Sequence, residues 1–524
     1  MNPAHILALI LLSAITGFSQ NSPPVISSIS VSFDDVNKQI TVNFDVSDNE
    51  SDNIEINVFL SDNYGETFLA EMTNVQGDAG YPIAPGSNKQ VTFNYNNSQH
   101  PVPGWMVKVV ADDRQPVDIQ QMVNRIDSVQ LRNTLSFMEG IRHYQTGTMH
   151  LEEVKDFIEA GFRQRGLLTY RQNFNHNNYP AANIISWHPG VKNERIVYII
   201  DAHFDTVNNS PGADDNASGV AGVLEAARIL SQYAFEHTIK FIAFDFEESS
   251  PTLGLTGSLQ YVAEGIKSHE QLEGVFNLEM IGYYSEQPYS QDVPSGFNIV
   301  FPAQYQMVAS DSFRGNFVVN VAVYPSDGLR QTFDNAAAQY VPALKVISFS
   351  IPDTLNPLLP TANFWRSDHA SFWLSDYKAI MLTDGADFRN HNYHTPNDTM
   401  GALNFTFMSN IVKATIASVA SLAKPVHATS AVAYLIDTGM ESGPESCGWR
   451  SVHSEAGIVL YPDRSCSGQS WIVALFDVQG KKVFQAKSEN NKELMILRSA
   501  FPAGLYFMTA DNGVRKASLS LILR

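Results

Sequence analysis

Cysteine is nearly absent from this chain: there are two in 524 residues, Cys447 and Cys466, both in the C-terminal region. That excludes a fold stapled by several disulfides and leaves at most one bridge, a local one between these two. A sulfur-based metal site is also disfavoured, because it takes further Cys or His nearby and only His453 is at hand. Basic residues are scarce as well. With 34 Lys and Arg against 54 Asp and Glu, the formal net charge is −20, and nucleic acid is disfavoured as a partner for want of clustered positive charge. After the first twenty residues no segment is long and apolar enough to suggest a membrane span. No Gly-x-Ser-x-Gly elbow occurs and neither cysteine has a catalytic histidine context, so nucleophilic catalysis has no support. Asp437-Thr438-Gly439 has the look of an aspartic protease loop but occurs once. That chemistry needs two carboxylates sharing a proton, so the tripeptide reads as a turn.

What the chain does have is size and apolar content. At 524 residues and 44% hydrophobic it can bury several cores, and two to four domains are expected. Residues 1–20 carry an apolar run, Ile6 to Ile15, followed by small and polar residues. This is the layout of a secretory signal peptide and predicts a protein that is secreted or held at the cell surface. Over residues 21–118, short alternating stretches such as QITVNFDVSD and IEINVFLSD are separated by Asp, Asn, Gly and Pro clusters, which predicts an antiparallel β-sandwich. The pattern resembles the immunoglobulin-like or fibronectin-like modules of exported bacterial enzymes.

Over residues 119–424 the character changes. VNRIDSVQLRNTLSFMEG carries apolar residues at helical spacing, and the nearly all-apolar RIVYII and HTIKFIAFDF alternate with the helical SGVAGVLEAARILSQYA. An α/β domain is predicted, with a mixed, largely parallel sheet flanked by helices. Strand patterns return over 425–524 and predict a small all-β domain. Its phrases VALFDVQGKKV and FPAGLYFMTADNG resemble the C-terminal sorting domain read by type IX secretion systems, which implies contact with that machinery; an accessory β-sandwich is the alternative.

The chemistry concentrates in the middle segment. In DAHFDT at 201–206, which follows RIVYII, residues two apart share a strand face. His203 and Asp205 therefore point together from the strand's C-terminal end, where open α/β sheets place their sites. GADDNASG at 212–219 opens a helix, and its aspartates read either as caps or as ligands in a tight turn. FEES at 246–249 ends the next strand. Its adjacent Glu247 and Glu248 must splay, so that one can ligate a cation while the other handles a proton. Glu279 ends the apolar run VFNLEMIG, where a buried carboxylate requires a cation or hydrogen bonds. His394 lies beside Tyr393 in the polar stretch HNYHTPNDT.

In this order and with these neighbours, the five elements resemble the zinc aminopeptidases and carboxypeptidases of the bacterial leucyl aminopeptidase type. The resemblance implies a di-zinc exopeptidase acting on peptides, with two zinc ions per chain. Position by position, it makes Asp214 the carboxylate that bridges both metals, with His203 and Glu279 completing one zinc and Glu248 and His394 the other. Glu247 becomes the general base toward a water between the metals, and Asp205 the orienter of His203. Many relatives carry Asp where this chain has Glu279, and SSPT lengthens the loop before GLTGS. The segment WRSDHASFWLSD at 365–376 resembles a pocket-lining segment of those relatives. It implies that Asp368 or His369 hydrogen-bonds substrate or supporting groups, with Tyr393 alongside; on capping grounds Asp368 can equally begin a helix at His369. Apart from Arg366 and Arg389, no arginine cluster stands ready to grip a substrate carboxylate, which favours aminopeptidase action. The alternatives are a single-zinc glutaminyl cyclase on the same scaffold and a non-catalytic binding module.

Overall fold

The computed structural model describes residues 21–434, apart from 35, 51–52, 62–64, 66, 96–104, 249–253 and 357–358, and most of the strands between 449 and 523. The expected signal segment, both cysteines, the Asp437 tripeptide and the SSPT insert lie outside the described residues.

An eight-stranded sheet organises the middle of the chain. Its central strands His237–Phe244, Asn193–His203, Gln271–Leu278 and Ala379–Thr383 run parallel. Tyr179–His188 flanks them antiparallel on one side, with Leu168–His176 outermost and antiparallel to it; Val318–Val323 flanks them antiparallel on the other, with Val346–Ile351 outermost and parallel to it. The mixed, largely parallel sheet expected from the sequence is therefore present.

Both faces of the sheet are apolar because successive strand residues point opposite ways. Ile200, Phe241, Phe276 and Ile380 join a core built with the helices Ser128–Met138, Thr148–Arg163, Gly219–Leu230, Asp327–Tyr340 and Phe405–Ala423. Their neighbours Ile199, Ile242, Val275 and Met381 face a second core containing Phe297, Phe301, Phe364 and Phe372. A sheet buried on both faces has to be covered on both, and this fixes the layered α/β architecture. The helix Phe405–Ala423 is, by length and composition, apolar enough to cross a membrane, contrary to the expectation that no such segment exists; 72% of its apolar window is buried inside the protein. Apolar residues on most of its faces mark a core helix.

The N-terminal segment is the expected sandwich. One sheet pairs Val25–Asp34, Gln39–Ser47 and Gly86–Asn94, and the other contains Ile54–Ser61 and Met106–Asp112. In Gln39–Ser47, Ile40, Val42, Phe44 and Val46 alternate into the interior between them. Met106–Asp112 is buried along its whole length. Val107, Val109 and Ala111 face the sandwich core, while Met106 and Val110 face a smaller cluster that reaches Val191 of the α/β domain. Buried Lys108 ends 2.7 Å from Glu194 across this junction and sits over the rings of Phe59 and Phe68, which offsets part of the cost of its desolvation.

The boundary expected at residue 425 shifts. Ala428–Tyr434 is not the first strand of a C-terminal domain; it pairs antiparallel with Met106–Asp112 and completes the N-terminal sandwich. An exposed edge on a strand this apolar would be an aggregation hazard, and the returning chain covers it. The described strands of the C-terminal all-β module start with Trp449–Ser454. Its two small sheets enclose Leu460, Trp471, Val473, Leu475, Ile496 and Met508.

Candidate metal centre

Parallel strands deliver their C-terminal ends to one edge of the sheet, and the site residues collect there. His203 ends its strand in register with Phe244, and the glutamate pair follows that phenylalanine. Glu279 follows Leu278 on the neighbouring strand. Three residues at this edge, Phe246, Met280 and His394, adopt left-handed backbone conformations, with φ of 60°, 53° and 57°. Such conformations are costly for residues with side chains and concentrate at functional sites. At Phe246 the turn has a clear consequence. It takes the chain off the strand path, so Glu247 and Glu248 diverge as expected. Gly254, at φ +59°, lies under the same turn, where a Cβ would stand 1.9 Å from the Glu247 carbonyl oxygen. This is why GLTGS follows the glutamates.

Among the described residues two groups of side chains converge closely enough to hold a cation: His203, Asp215 and Glu279, and Asp215, Glu248 and His394. His203 Nε2 lies 3.4 Å from Asp215 Oδ1 and 3.3 Å from Glu279 Oε2. His394 Nε2 lies 3.1 Å from Asp215 Oδ2 and 2.8 Å from Glu248 Oε1. One carboxylate thus serves both groups, and it belongs to Asp215.

The assignment of the bridge to Asp214 is therefore corrected. Asp214 points away from the site: its Oδ1 accepts from the Gly282 amide at 2.9 Å and its Oδ2 from Asn390 at 2.8 Å. Burial, together with a hydrogen bond shared with Asp384, raises its carboxyl well above the usual range. The reason lies in the backbone. Asp215 and Asn216 leave helical geometry, with φ and ψ of −102°, 92° and −129°, 44°, and this swings the second aspartate of the pair toward the histidines. Two adjacent, chemically identical residues carry no sequence signal of which one turns in.

His203, Glu248, Glu279, His394, Asp205 and Glu247 lie at the same sheet edge as Asp215. Asp205 Oδ1 stands 3.4 Å from His203 Nδ1, and its two oxygens accept the amides of Glu247 and Glu248 at 3.0 and 2.9 Å. Glu247 is buried, which raises its carboxyl well above the usual range against the pull of His203. Burial and then the charge of Asp215 push Glu248 up to about 8. For Asp215, burial pushes the carboxyl up, but the adjacent imidazoles of His203 and His394 outweigh it and hold it below the ordinary range. Burial opposes charge on His394, yet Asp215 and Glu248 raise it to about 10.

The expected substrate contacts are only partly met. Tyr393 lines an open pocket beside Glu279 and stacks on His394 with ring centroids 3.8 Å apart. Asp368 and His369 are fully buried and do not line this pocket. His369 is tied on both sides, with Nε2 2.8 Å from the Phe364 carbonyl oxygen and Nδ1 3.2 Å from Asn277 Oδ1. Burial lowers it to about 4. Asp368 precedes the helix His369–Trp373 but makes no capping hydrogen bond, and burial raises its carboxyl to about 7 while His203 pulls it down. Both residues back the site and do not face a ligand.

Three supporting residues escaped the sequence reading. Asn216 donates to Glu279 Oε2 at 3.2 Å and to the Leu278 carbonyl oxygen at 2.8 Å. Ser367 Oγ donates to Glu279 Oε2 at 2.6 Å. Asp398 reaches back to the turn that carries Asp215. The motifs GADDNASG, WRSDHASFW and YHTPNDT contain all three, but spacing alone does not say which polar residue turns inward.

The donors suit a divalent metal. Both ring nitrogens of His203 and Oδ1 of Asp215 are buried without a hydrogen-bond partner, an arrangement whose desolvation a bound cation would offset. Imidazole and carboxylate donors, with Asp215 shared between two groups, fit zinc.

A carboxylate–imidazole cluster at the strand ends of a doubly covered, mixed sheet defines a candidate metal centre of an α/β protein. The sequence model of peptidase family M28 matches residues 183–419. Protein YfbL of Escherichia coli K12, described as uncharacterized, is 30% identical over 315 residues, which cover 57% of this chain and 91% of that protein. Aminopeptidase YwaD of Bacillus subtilis 168 is 45% identical over 93 residues, 18% of this chain and 19% of that protein. Among solved structures, the LapA aminopeptidase of Legionella pneumophila matches with 20% identity and a TM-score of 0.44, over 59% of this chain and 74% of that one. The chain belongs to peptidase family M28, and is a zinc metallopeptidase.

Proposed function

We propose that this protein is an aminopeptidase that binds two zinc ions and removes N-terminal residues from peptides. The observation that carries the reading is Asp215, whose two carboxylate oxygens face separate donor groups, with buried Glu247 beside them. His203, Asp215 and Glu279 would hold one ion, and Asp215, Glu248 and His394 the other. Bound there, the ions supply Lewis acidity toward the scissile carbonyl and toward water.

The remaining steps fall to the chain's own residues. Glu247, whose burial raises its carboxyl above the ordinary range, takes a proton from the attacking water and passes it to the leaving amine. Asp205 fixes the glutamate pair and faces His203. The pocket beside Glu279, walled by Phe297, Val308, Phe317, Phe349, Phe364 and Met381, accepts a large apolar side chain. Among its described lining residues Arg366 is the only cation, and it is engaged by Asp387 at 3.1 Å and by Tyr393 Oη at 3.2 Å. That leaves little to grip a C-terminal carboxylate and favours an aminopeptidase over a carboxypeptidase. The signal-like residues 1–20 and the sorting-domain likeness of the C-terminal module support export through a type IX system.

The test is metal content by mass spectrometry together with hydrolysis of aminoacyl-anilides before and after chelation. The expected result is two zinc ions per chain and chelator-sensitive release, faster from leucyl and phenylalanyl than from glutamyl substrates. One zinc with cyclisation of N-terminal glutamine would replace this reading with a cyclase, and neither metal nor turnover would leave a binding module.

A further inference from the structure

The motif YHTPNDT contributes His394 to the site, but the role of its last acidic residue, Asp398, is unaccounted for. Asp398 is 1% exposed and makes three contacts with one short turn. Its backbone carbonyl oxygen accepts the Ala213 amide at 3.2 Å, Oδ1 accepts the Asp214 amide at 3.0 Å, and Oδ2 accepts the Asp215 amide at 3.1 Å. Three successive N–H groups are thus satisfied by one residue. At its other end Asp398 belongs to the His394 loop, since its own amide donates to the Thr395 carbonyl oxygen at 3.2 Å.

We infer that Asp398 is the positioning residue that sets Asp215 against His394, and so couples the two donor groups of the metal centre. This rests on the two-metal reading above. The physical argument is one of acceptor number. Two adjacent N–H groups buried in the same turn need two acceptors on one rigid fork, and among side chains of this length only a carboxylate provides them. Asparagine would keep one bond and turn an NH₂ toward the second amide, leaving a buried donor unpaired. A small rotation of the 213–218 turn would then move Asp215 Oδ2 from its place 3.1 Å from His394 Nε2, and Oδ1 from its place 3.4 Å from His203 Nε2. The buried guanidinium of Arg142 steadies the other side of the same turn by donating to the carbonyl oxygens of Pro211 and Gly212 at 2.9 and 2.8 Å.

The experiment compares wild type with Asp398→Asn in the full chain. Zinc is titrated into the chelator-stripped proteins against a competing chelator, and the melting temperature of each stripped protein is recorded. The expected result is a 10–100-fold weakening of zinc binding that affects both ions in parallel, with the stripped melting temperature largely kept. Wild-type zinc affinity in the variant would overturn the inference, as would weakening of only one ion.

Hydrogen exchange on stripped wild type is a second reading that does not depend on the variant's folding. If Asp398 holds the turn, the amides of residues 213–215 are protected without metal; if they exchange freely until zinc is added, the metal orders the turn and the inference fails. A wild type that binds no zinc would sink the reading of the site itself, while the exchange data would still decide whether Asp398 holds the turn.

Discussion

Oδ1 of Asp205 stands 3.4 Å from Nδ1 of His203. The same carboxylate also holds the amides of Glu247 and Glu248, so one side chain faces a candidate metal donor and fixes the backbone of the proposed base and of a second candidate donor. Asp205→Asn keeps the size but replaces one acceptor with a donor facing an amide. The expected outcome is a 10–100-fold loss of zinc affinity and a lower kcat that excess zinc does not restore. Zinc titration paired with kinetics at saturating metal checks it; full recovery with zinc would confine Asp205 to holding His203.

Glu247 is assigned to proton transfer and not to metal binding. Glu247→Gln should keep its zinc and lose about 10²–10⁴-fold in kcat. Metal analysis and turnover on the same preparation separate the two roles. A variant that loses zinc in step with activity would make Glu247 a ligand.

The adjacent aspartates should behave differently. Asp215→Asn is expected to lose zinc from both positions, because its two oxygens face both donor groups. Asp214→Asn should retain zinc and lose about 1–3 kcal/mol of stability, because its carboxyl serves buried hydrogen bonds to Gly282 and Asn390. Mass spectrometry of the metal and chemical denaturation read the pair, and zinc loss in Asp214→Asn alone would restore the bridge to that residue.

His369 should make the protein acid-sensitive. Burial depresses its pKa to about 4 from an ordinary value of 6.5. The unfolded chain therefore takes up the proton first as pH falls. The stability tied to neutral His369 is full above about 6.5 and is lost between there and about 4, amounting to about 3 kcal/mol. In His369→Gln the stability difference between pH 7 and 4.5 should shrink by a similar order. Denaturation curves at the two pH values decide, and an unchanged difference would show that other groups govern acid unfolding.

A chain ending at residue 424 loses the strand Ala428–Tyr434 and bares the Met106–Asp112 edge of the sandwich. Such a truncation should melt lower and aggregate, whereas a chain ending shortly after Tyr434 keeps the sandwich closed. Light scattering during a melt compares the two; equal behaviour would mean that the returning strand contributes little.

The elements and most of the site were legible because their signals are local. Uniform apolar runs around Ile199 and Phe241 required a sheet covered on both faces, and alternation in QITVNFDVSD required a half-buried strand. His203 and Asp205 share a strand face by period alone, and a glutamate ending an apolar run, as at Glu279, announces a partner. The membership of Ala428–Tyr434 was not legible, because a strand's sequence shows its alternation and not the partner that it pairs with.

What the sequence by itself determined was the layered α/β fold and the terminal sandwich, since hydrophobic period is a property of short segments; the candidate donors other than Asp215 followed from the family resemblance. Tertiary structure alone decided that Asp215 and not Asp214 faces both histidines, that His369 is sealed behind the site, and that Asp398 accepts the amides of the turn that carries Asp215. Each of these depends on a backbone rotation at one residue, or on segments more than 180 positions apart meeting at a single amide, and no local pattern encodes such a contact.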